Sequence, residues 1–166
     1  MLQIHHRTDA EVLAEYGALV IRAIDGAPTE IEDVDRASDL IDELLERRAN
    51  IGVLVIVEHG SPAPTPECMR HMRRRSQPRA ERLVVGFAML GLGFWAKAAL
   101  HLTQVAVQAM NMSMFAGTEL RPVVEGMSRE LVGLDPATIL ALCEQLRAEL
   151  AAARSQRPPG ASSTGD

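Results

Sequence analysis

The stretch Leu83-Val84-Val85-Gly86-Phe87-Ala88-Met89-Leu90-Gly91-Leu92-Gly93-Phe94, running on to Met110, decides how this chain is read. From Leu83 to Met110 the only formal charge is Lys97. Leu83 to Leu90 is a continuous apolar run, which predicts a strand covered on both faces. Gly91-Leu92-Gly93 breaks it, and Phe94 to Met110 then carries its polar residues at Lys97, His101, Gln104 and Gln108. At helical spacing these four occupy a stripe roughly 60° wide, so the helix they imply is nearly engulfed by its surroundings. A strand, a glycine turn and an apolar helix in that order place a layered α/β unit at the centre of the chain. A run of about 20 apolar residues also matches the thickness of a bilayer. Three glycines between Leu83 and Leu102, Lys97 and the regular polar stripe argue against a membrane span.

Length and composition frame that unit. The chain has 166 residues, enough for one domain with a proper core. It is 47% hydrophobic but only 3% aromatic, so the core is aliphatic. A net charge of −5 disfavours general nucleic-acid binding. Met1-Leu2-Gln3-Ile4-His5-His6 has no basic region followed by an apolar one, so it does not read as a signal peptide. Cys68 and Cys143 stand far apart without a framework, as expected of reduced, buried thiols in a cytoplasmic protein.

Upstream of the central unit, Leu2 and Ile4 alternate with Gln3 and His5 and predict a first strand. Thr8 to Tyr16 is ambiguous between a capped helical turn and an irregular edge strand. Ala18 to Ile24 predicts a strand stopped by Asp25-Gly26. A helix follows, with Thr29-Glu30-Ile31-Glu32 as its capping box and Val34, Ala37, Ile41, Leu44 and Leu45 on its apolar face. Acids crowd its first turn and Arg47-Arg48 close its last, in accord with the helix dipole. Ile51 to Val57 is a further buried strand. After the loop Gly60-Ser61-Pro62-Ala63-Pro64, Thr65 can cap a second helix with Pro66 in its first position.

Downstream, Met112 to Phe115 predicts a short strand, and Thr118 leads into a helix with Pro122 in its first turn. Asp135-Pro136 opens a last helix with Ile139, Cys143, Leu146 and Leu150 on one side. Residues 154–166 have nothing to bury and predict a disordered tail, leaving one α/β domain over 1–153. The order is β-β-α-β-α-β-α-β-α plus an extra C-terminal helix. Such alternation implies a mostly parallel central sheet with helices packed on it.

This succession resembles the STAS domain, the fold of bacterial anti-sigma-factor antagonists, and more closely its diverged STAS-like relatives. The matching residues are Leu83 to Leu90, Gly91-Leu92-Gly93-Phe94-Trp95-Ala96, and Met114-Phe115 running into Thr118 to Leu131. The resemblance spans roughly residues 1–132 as an architecture, and its motifs are loose. It implies a non-enzymatic regulatory domain, of partner-switching type, that binds another protein. Phosphorylated STAS domains carry Asp-Ser-x-Gly where the third strand meets the second helix. This chain has Glu58-His59-Gly60-Ser61-Pro62 there, with neither the preceding Asp nor the following Gly. Ser61 and Thr65, in the loop and at the start of the second helix, are the partner-binding and phospho-acceptor candidates. At a helix N-terminus a phosphate is also favoured.

Gly91-Leu92-Gly93-Phe94-Trp95-Ala96 fits G-x-G-x-x-A, the dinucleotide fingerprint, whose glycines let a pyrophosphate approach backbone N–H groups. It lies late in the chain, position 111 is Asn where an acid is expected, and Phe94 and Trp95 would crowd a phosphate, so a tight packing turn is favoured. Cys68 in a first helical turn, near His71 and His59, has the ingredients of a thiolate nucleophile. One Cys-x-x-His without a second pair does not make a zinc site, and a packed cysteine is favoured. Arg70, Arg73, Arg74, Arg75, Arg79 and Arg82 form a basic cluster, opposed by eight acids between Glu30 and Glu46. Arg70, Arg73 and Arg74 are the candidate basic contact to a partner; without interleaved aromatics the cluster does not read as a nucleic-acid site. The expected function is protein binding, with no cofactor, no metal and no catalytic residue. The apolar excess of the central helix equally suits a homodimer contact. The alternative reading is a carrier of a small lipid-like ligand, motivated by the Met-rich aliphatic composition; a dinucleotide-binding or Cys-dependent enzyme ranks last.

Overall fold

A computed structural model describes residues 1–58, 60–91 and 112–155. Six strands form one mixed sheet in sequential order: β1 (Leu2–Arg7), β2 (Glu11–Tyr16), β3 (Leu19–Ile24), β4 (Ile51–Val57), β5 (Leu83–Met89) and β6 (Ser113–Gly117). The helices are α1 (Ile31–Arg47), α2 (Pro66–Ser76), α3 (Leu120–Glu130) and α4 (Pro136–Ser155), with a 3-10 turn over Gln77–Arg82. The β1–β2 and β2–β3 pairings are antiparallel, and β3–β4, β4–β5 and β5–β6 are parallel. The sheet is therefore mixed rather than the mostly parallel one that alternation implied. Its antiparallel half comes from the ambiguous stretch: residues 11–16 are an interior strand, neither a helical turn nor an edge. Thr8 does not start a helix; its hydroxyl accepts from the backbone N–H groups of Ala10 and Glu11 and tightens the β1–β2 turn. The β2–β3 hairpin turns on Gly17-Ala18, with Gly17 at φ 61°, a conformation glycine adopts freely.

Every second residue of a strand faces the same side, and the two sides differ. One face presents Val12, Ala14, Leu19, Ile21, Ala23, Leu54, Ile56, Val84 and Ala88 to α3 and α4, which answer with Val123, Met127, Ile139, Cys143, Leu146 and Leu150. The four positions expected on the inner side of the last helix are the four that are buried in α4. Glycines let α3 lie close to the sheet. A Cβ at Gly86 would come within 2.9 Å of Val123 Cγ1 and nearer still to Met127 Sδ, and one at Gly52 would come within 2.6 Å of Leu131. The opposite face presents Leu13, Val20, Ile51, Leu83 and Val85 to Leu40, Ile41, Leu44 and Leu45 of α1. α2 packs on α1, and of its residues only Cys68 is buried.

The caps follow the sequence closely. Thr65 Oγ1 accepts from Cys68 N at 3.2 Å with Pro66 in the first turn, as expected. At α1 the box sits one residue later than predicted: Glu30 is the N-cap, its N–H donating to Asp33 Oδ2 at 2.9 Å, while Thr29 is buried. α4 includes Arg154 and Ser155, which the sequence reading assigned to the tail. The predicted central helix Phe94–Met110, His59 and residues 156–166 lie outside the described residues. Among the described residues, no helix is long and apolar enough to cross a membrane.

Candidate functional site

The loop after β4 is held by the strand beside it. Gly26 N donates to Ser61 Oγ at 2.8 Å, and Ser61 Oγ donates to the Ile24 carbonyl at 3.3 Å. Ile24 O also accepts from Glu58 N at 2.8 Å, so one carbonyl at the end of β3 organises both arms of the loop. Gly60, at φ 91°, makes the bend that brings Ser61 back to the sheet. The Ser61 hydroxyl is half-buried and doubly bonded, and Thr65 is exposed but committed to the α2 cap. Both candidate acceptors thus stand in the predicted region, each with a structural task. A phosphoryl group on Ser61 would forfeit the bond to Ile24 and place negative charge beside the turn that carries buried Asp25.

α2 leans on α1 through charge. His71 Nε2 lies 2.7 Å from Asp35 Oδ1, Arg75 Nη2 donates to Asp39 Oδ1 at 2.6 Å, and Arg79 Nη1 pairs with Asp42 and the Ser38 carbonyl. His71, with Arg75 behind it, holds the Asp35 carboxyl below the usual carboxylate range. Arg82 closes the seam by donating to the carbonyls of Leu45, Arg48 and Ala49, the orphan acceptors at the end of α1. The six arginines of the basic cluster therefore divide in two. Arg75, Arg79 and Arg82 answer the acids and carbonyls of α1, whereas Arg70, Arg73 and Arg74 are exposed and form no ion pair among the described residues. Met69, half-exposed, stands beside Arg70 on the same helix.

The surroundings of Cys68 are those of a packed side chain. Cys68 is 2% exposed, burial raises its pKa instead of the helix terminus lowering it, and His71 turns to Asp35. A protonated, buried thiol is a poor nucleophile. Among the described residues no group of three His, Cys, Asp or Glu side chains is placed to hold a metal ion. Of the glycine turn Gly91-Leu92-Gly93 only Gly91, at φ 75°, lies within the described residues.

Sequence reasoning missed a buried network. Arg22 Nε and Nη2 donate to Glu11 Oε1 and Oε2, both at 2.9 Å, and Asp33 stands 3.6 Å from Nη2. Glu11 and Arg22 are 4% and 6% exposed. The signal was an arginine inside the otherwise apolar Leu19–Ile24, because a charge in a strand covered on both faces requires a buried partner. Three further pairs fasten α4 across the strand ends: Arg147 to Glu58, Arg154 to Asp25, and Glu149 to Arg7. The bond from Glu58 holds the Arg147 guanidinium above its usual pKa.

Compared with protein-family models, with curated proteins and with solved structures, the chain matches none of them.

Proposed function

We propose that this chain is a non-enzymatic, STAS-like interaction module that docks an acidic protein partner through the loop at Ser61–Thr65 and the outer side of α2. The observation that carries the reading is the character of α2, which buries one side chain and turns Met69, Arg70, Arg73 and Arg74 outward. A helix that contributes so little to the core is free to serve recognition. Arginine is well suited to that task, because its planar fork engages carboxylates with two parallel bonds. Of the six arginines of Pro66–Arg82, Arg75 and Arg79 are answered by Asp35, Asp39 and Asp42, which leaves Arg70, Arg73 and Arg74 as the exposed positive charges of α2, unpaired among the described residues, in a chain of net charge −5. Such a field steers an acidic partner towards α2 and repels it elsewhere.

The STAS-like reading draws support from the succession of elements, with a leading strand group before α1, β4, α2 and β5, and β6, α3 and α4 after. It differs by one extra strand, β2. In this reading Ser61 acts as a latch. Modification there releases the loop from Gly26 and Ile24 and changes how the start of α2 is presented. The experiment is an affinity capture from the source cell with wild type, the triple variant Arg70→Glu/Arg73→Glu/Arg74→Glu, and Ser61→Glu. The expected result is a set of acidic proteins held by wild type, lost by the triple variant and altered by Ser61→Glu. Identical recoveries by all three, with each variant folded, would sink the proposal.

A further inference from the structure

The bonds between α1 and α2 fix how the two helices are staggered. His71 meets Asp35 and Arg75 meets Asp39, so the partners advance together and the helices run parallel. Each residue of α2 stands level with the residue 36 places earlier in α1. Away from this seam each helix turns a charged stripe to water. On α1 it is Glu32, Asp39, Glu43 and Glu46, whose spacing puts them on one side of the helix. On α2 it is Arg70, Arg73 and Arg74. Asp39 and Glu43 are drawn onto Arg75 and Arg47, whereas Glu32 and Glu46 form no ion pair among the described residues. The two helices also expose large apolar side chains in their first turns, Ile31 at 37% and Met69 at 50%.

We infer that this helix pair docks onto the same helix pair of a second copy of the chain. The inference rests on the reading of α2 as a site for an acidic partner, and it names that partner. A twofold contact has to be self-complementary. The charges choose between the two ways of laying this layer on itself. A twofold axis across the helices sets α1 against α1 and α2 against α2, like charge on like. An axis along the helices, between them, sets α1 of each copy against α2 of the other. Rotation about that axis leaves every residue at its own level. Arg70 then meets the other copy at the level of Val34, two residues from Glu32, and Arg73 at the level of Ala37, two residues from Asp39. At 1.5 Å per residue each offset is about 3 Å, which an arginine side chain spans easily. Met69 and Ile31 of opposite copies are offset by the same amount, and they give the contact an apolar point among its charges. Every one of these contacts is made twice. Exposed charge pairs are screened by salt, so the assembly dissociates as ionic strength rises.

Sedimentation velocity of the full chain tests this in about 0.05 M and about 1 M sodium chloride, where the screening length falls to about 3 Å. A dimer is expected at low salt and a monomer at high salt. Arg70→Glu and Glu32→Lys, each shown to be folded by its melting curve, leave the seam pairs at Asp35 and Asp39 in place. Each is expected to weaken self-association about ten-fold, because a contact made twice turns from attraction to repulsion. Mixed in equal amounts, the two variants again oppose unlike charges at both contacts, and the dimer is expected to return. A wild-type monomer at low salt, a dimer that both variants keep at full strength, or a mixture no stronger than the variants alone would overturn the inference. A wild-type monomer that still captures acidic proteins from the cell would remove only this choice of partner and leave the docking reading of α2 standing; loss of that capture as well would remove both.

Discussion

The two helix pairs meet the same sheet by different physics. α3 and α4 are held by shape: aliphatic side chains interlock with the sheet, and glycines let α3 approach within contact distances no other residue would permit. On the other face α1 seats a comparable apolar stripe, but α2 and the turn after it are attached to α1 by a seam of opposite charges whose carboxylates are exposed. Packing is dense, short-ranged and indifferent to salt. An exposed charge seam is weak, screened and adjustable. One half of the molecule is therefore the rigid base, and the other carries an element that can yield to a partner or a ligand.

The sharpest way to break this contrast lies at the buried ion pair, where charge is used under dry conditions. Arg22→Met is expected to cost about 3–5 kcal/mol, because it strands the Glu11 carboxylate. Glu11→Leu/Arg22→Met together should recover most of that loss. Urea denaturation of the two variants decides it, and equal losses would mean that the arginine acts through packing alone. Next in size is Gly86→Ala, which drives a methyl group into Met127 and Val123 and should cost about 1–3 kcal/mol. Gly117→Ala, whose new Cβ would lie 3.4 Å from Val123, is the mild control.

Arg75→Ala at the α1–α2 seam should lose no more than about 1 kcal/mol. That loss should vanish in about 1 M salt, where the screening length falls to about 3 Å, while the Gly86→Ala defect persists. Thermal melts at low and high salt make the comparison, and a salt-independent Arg75→Ala defect would erase the distinction between the two helix pairs.

The smallest effect concerns Cys143, buried beneath α4, whose thiol burial pushes up to about 12. A raised pKa favours the protonated thiol in the fold. That contribution is complete below the ordinary value of 9.0 and is lost as pH rises from there through about 12. Native protein at pH 8.5 is expected to react with a maleimide only as fast as it unfolds, and Cys143→Ala to show a flatter alkaline decline in melting temperature. Rapid stoichiometric labelling at Cys143 would mean that the α4 face opens readily.

Legibility followed the range of the physics involved. Thr65-Pro66 announced the start of α2, and the spacing of Ile139, Cys143, Leu146 and Leu150 announced the buried side of α4, because a cap and a helical stripe are written within a few residues. Glu11–Tyr16 was not legible. Val12, Leu13 and Ala14 are buried in succession, which hides the alternation of a strand covered on both sides. The candidate site was legible in part: Ser61 and Thr65 were found as hydroxyls near a helix start, but their bonds to Gly26 and Ile24 and to Cys68 decide what they do.

By itself, then, the sequence determined the α/β class, the cap of α2 and the apolar faces of α1 and α4, all of which rest on local periodicity and backbone hydrogen bonding. Only the tertiary structure decided the mixed sheet, the burial of Glu11 with Arg22, and the division of the arginine cluster. Arg70 and Arg75 look alike in a list of residues. One faces water and the other faces α1 because helix packing, which joins residues about 36 positions apart, chooses which charges meet.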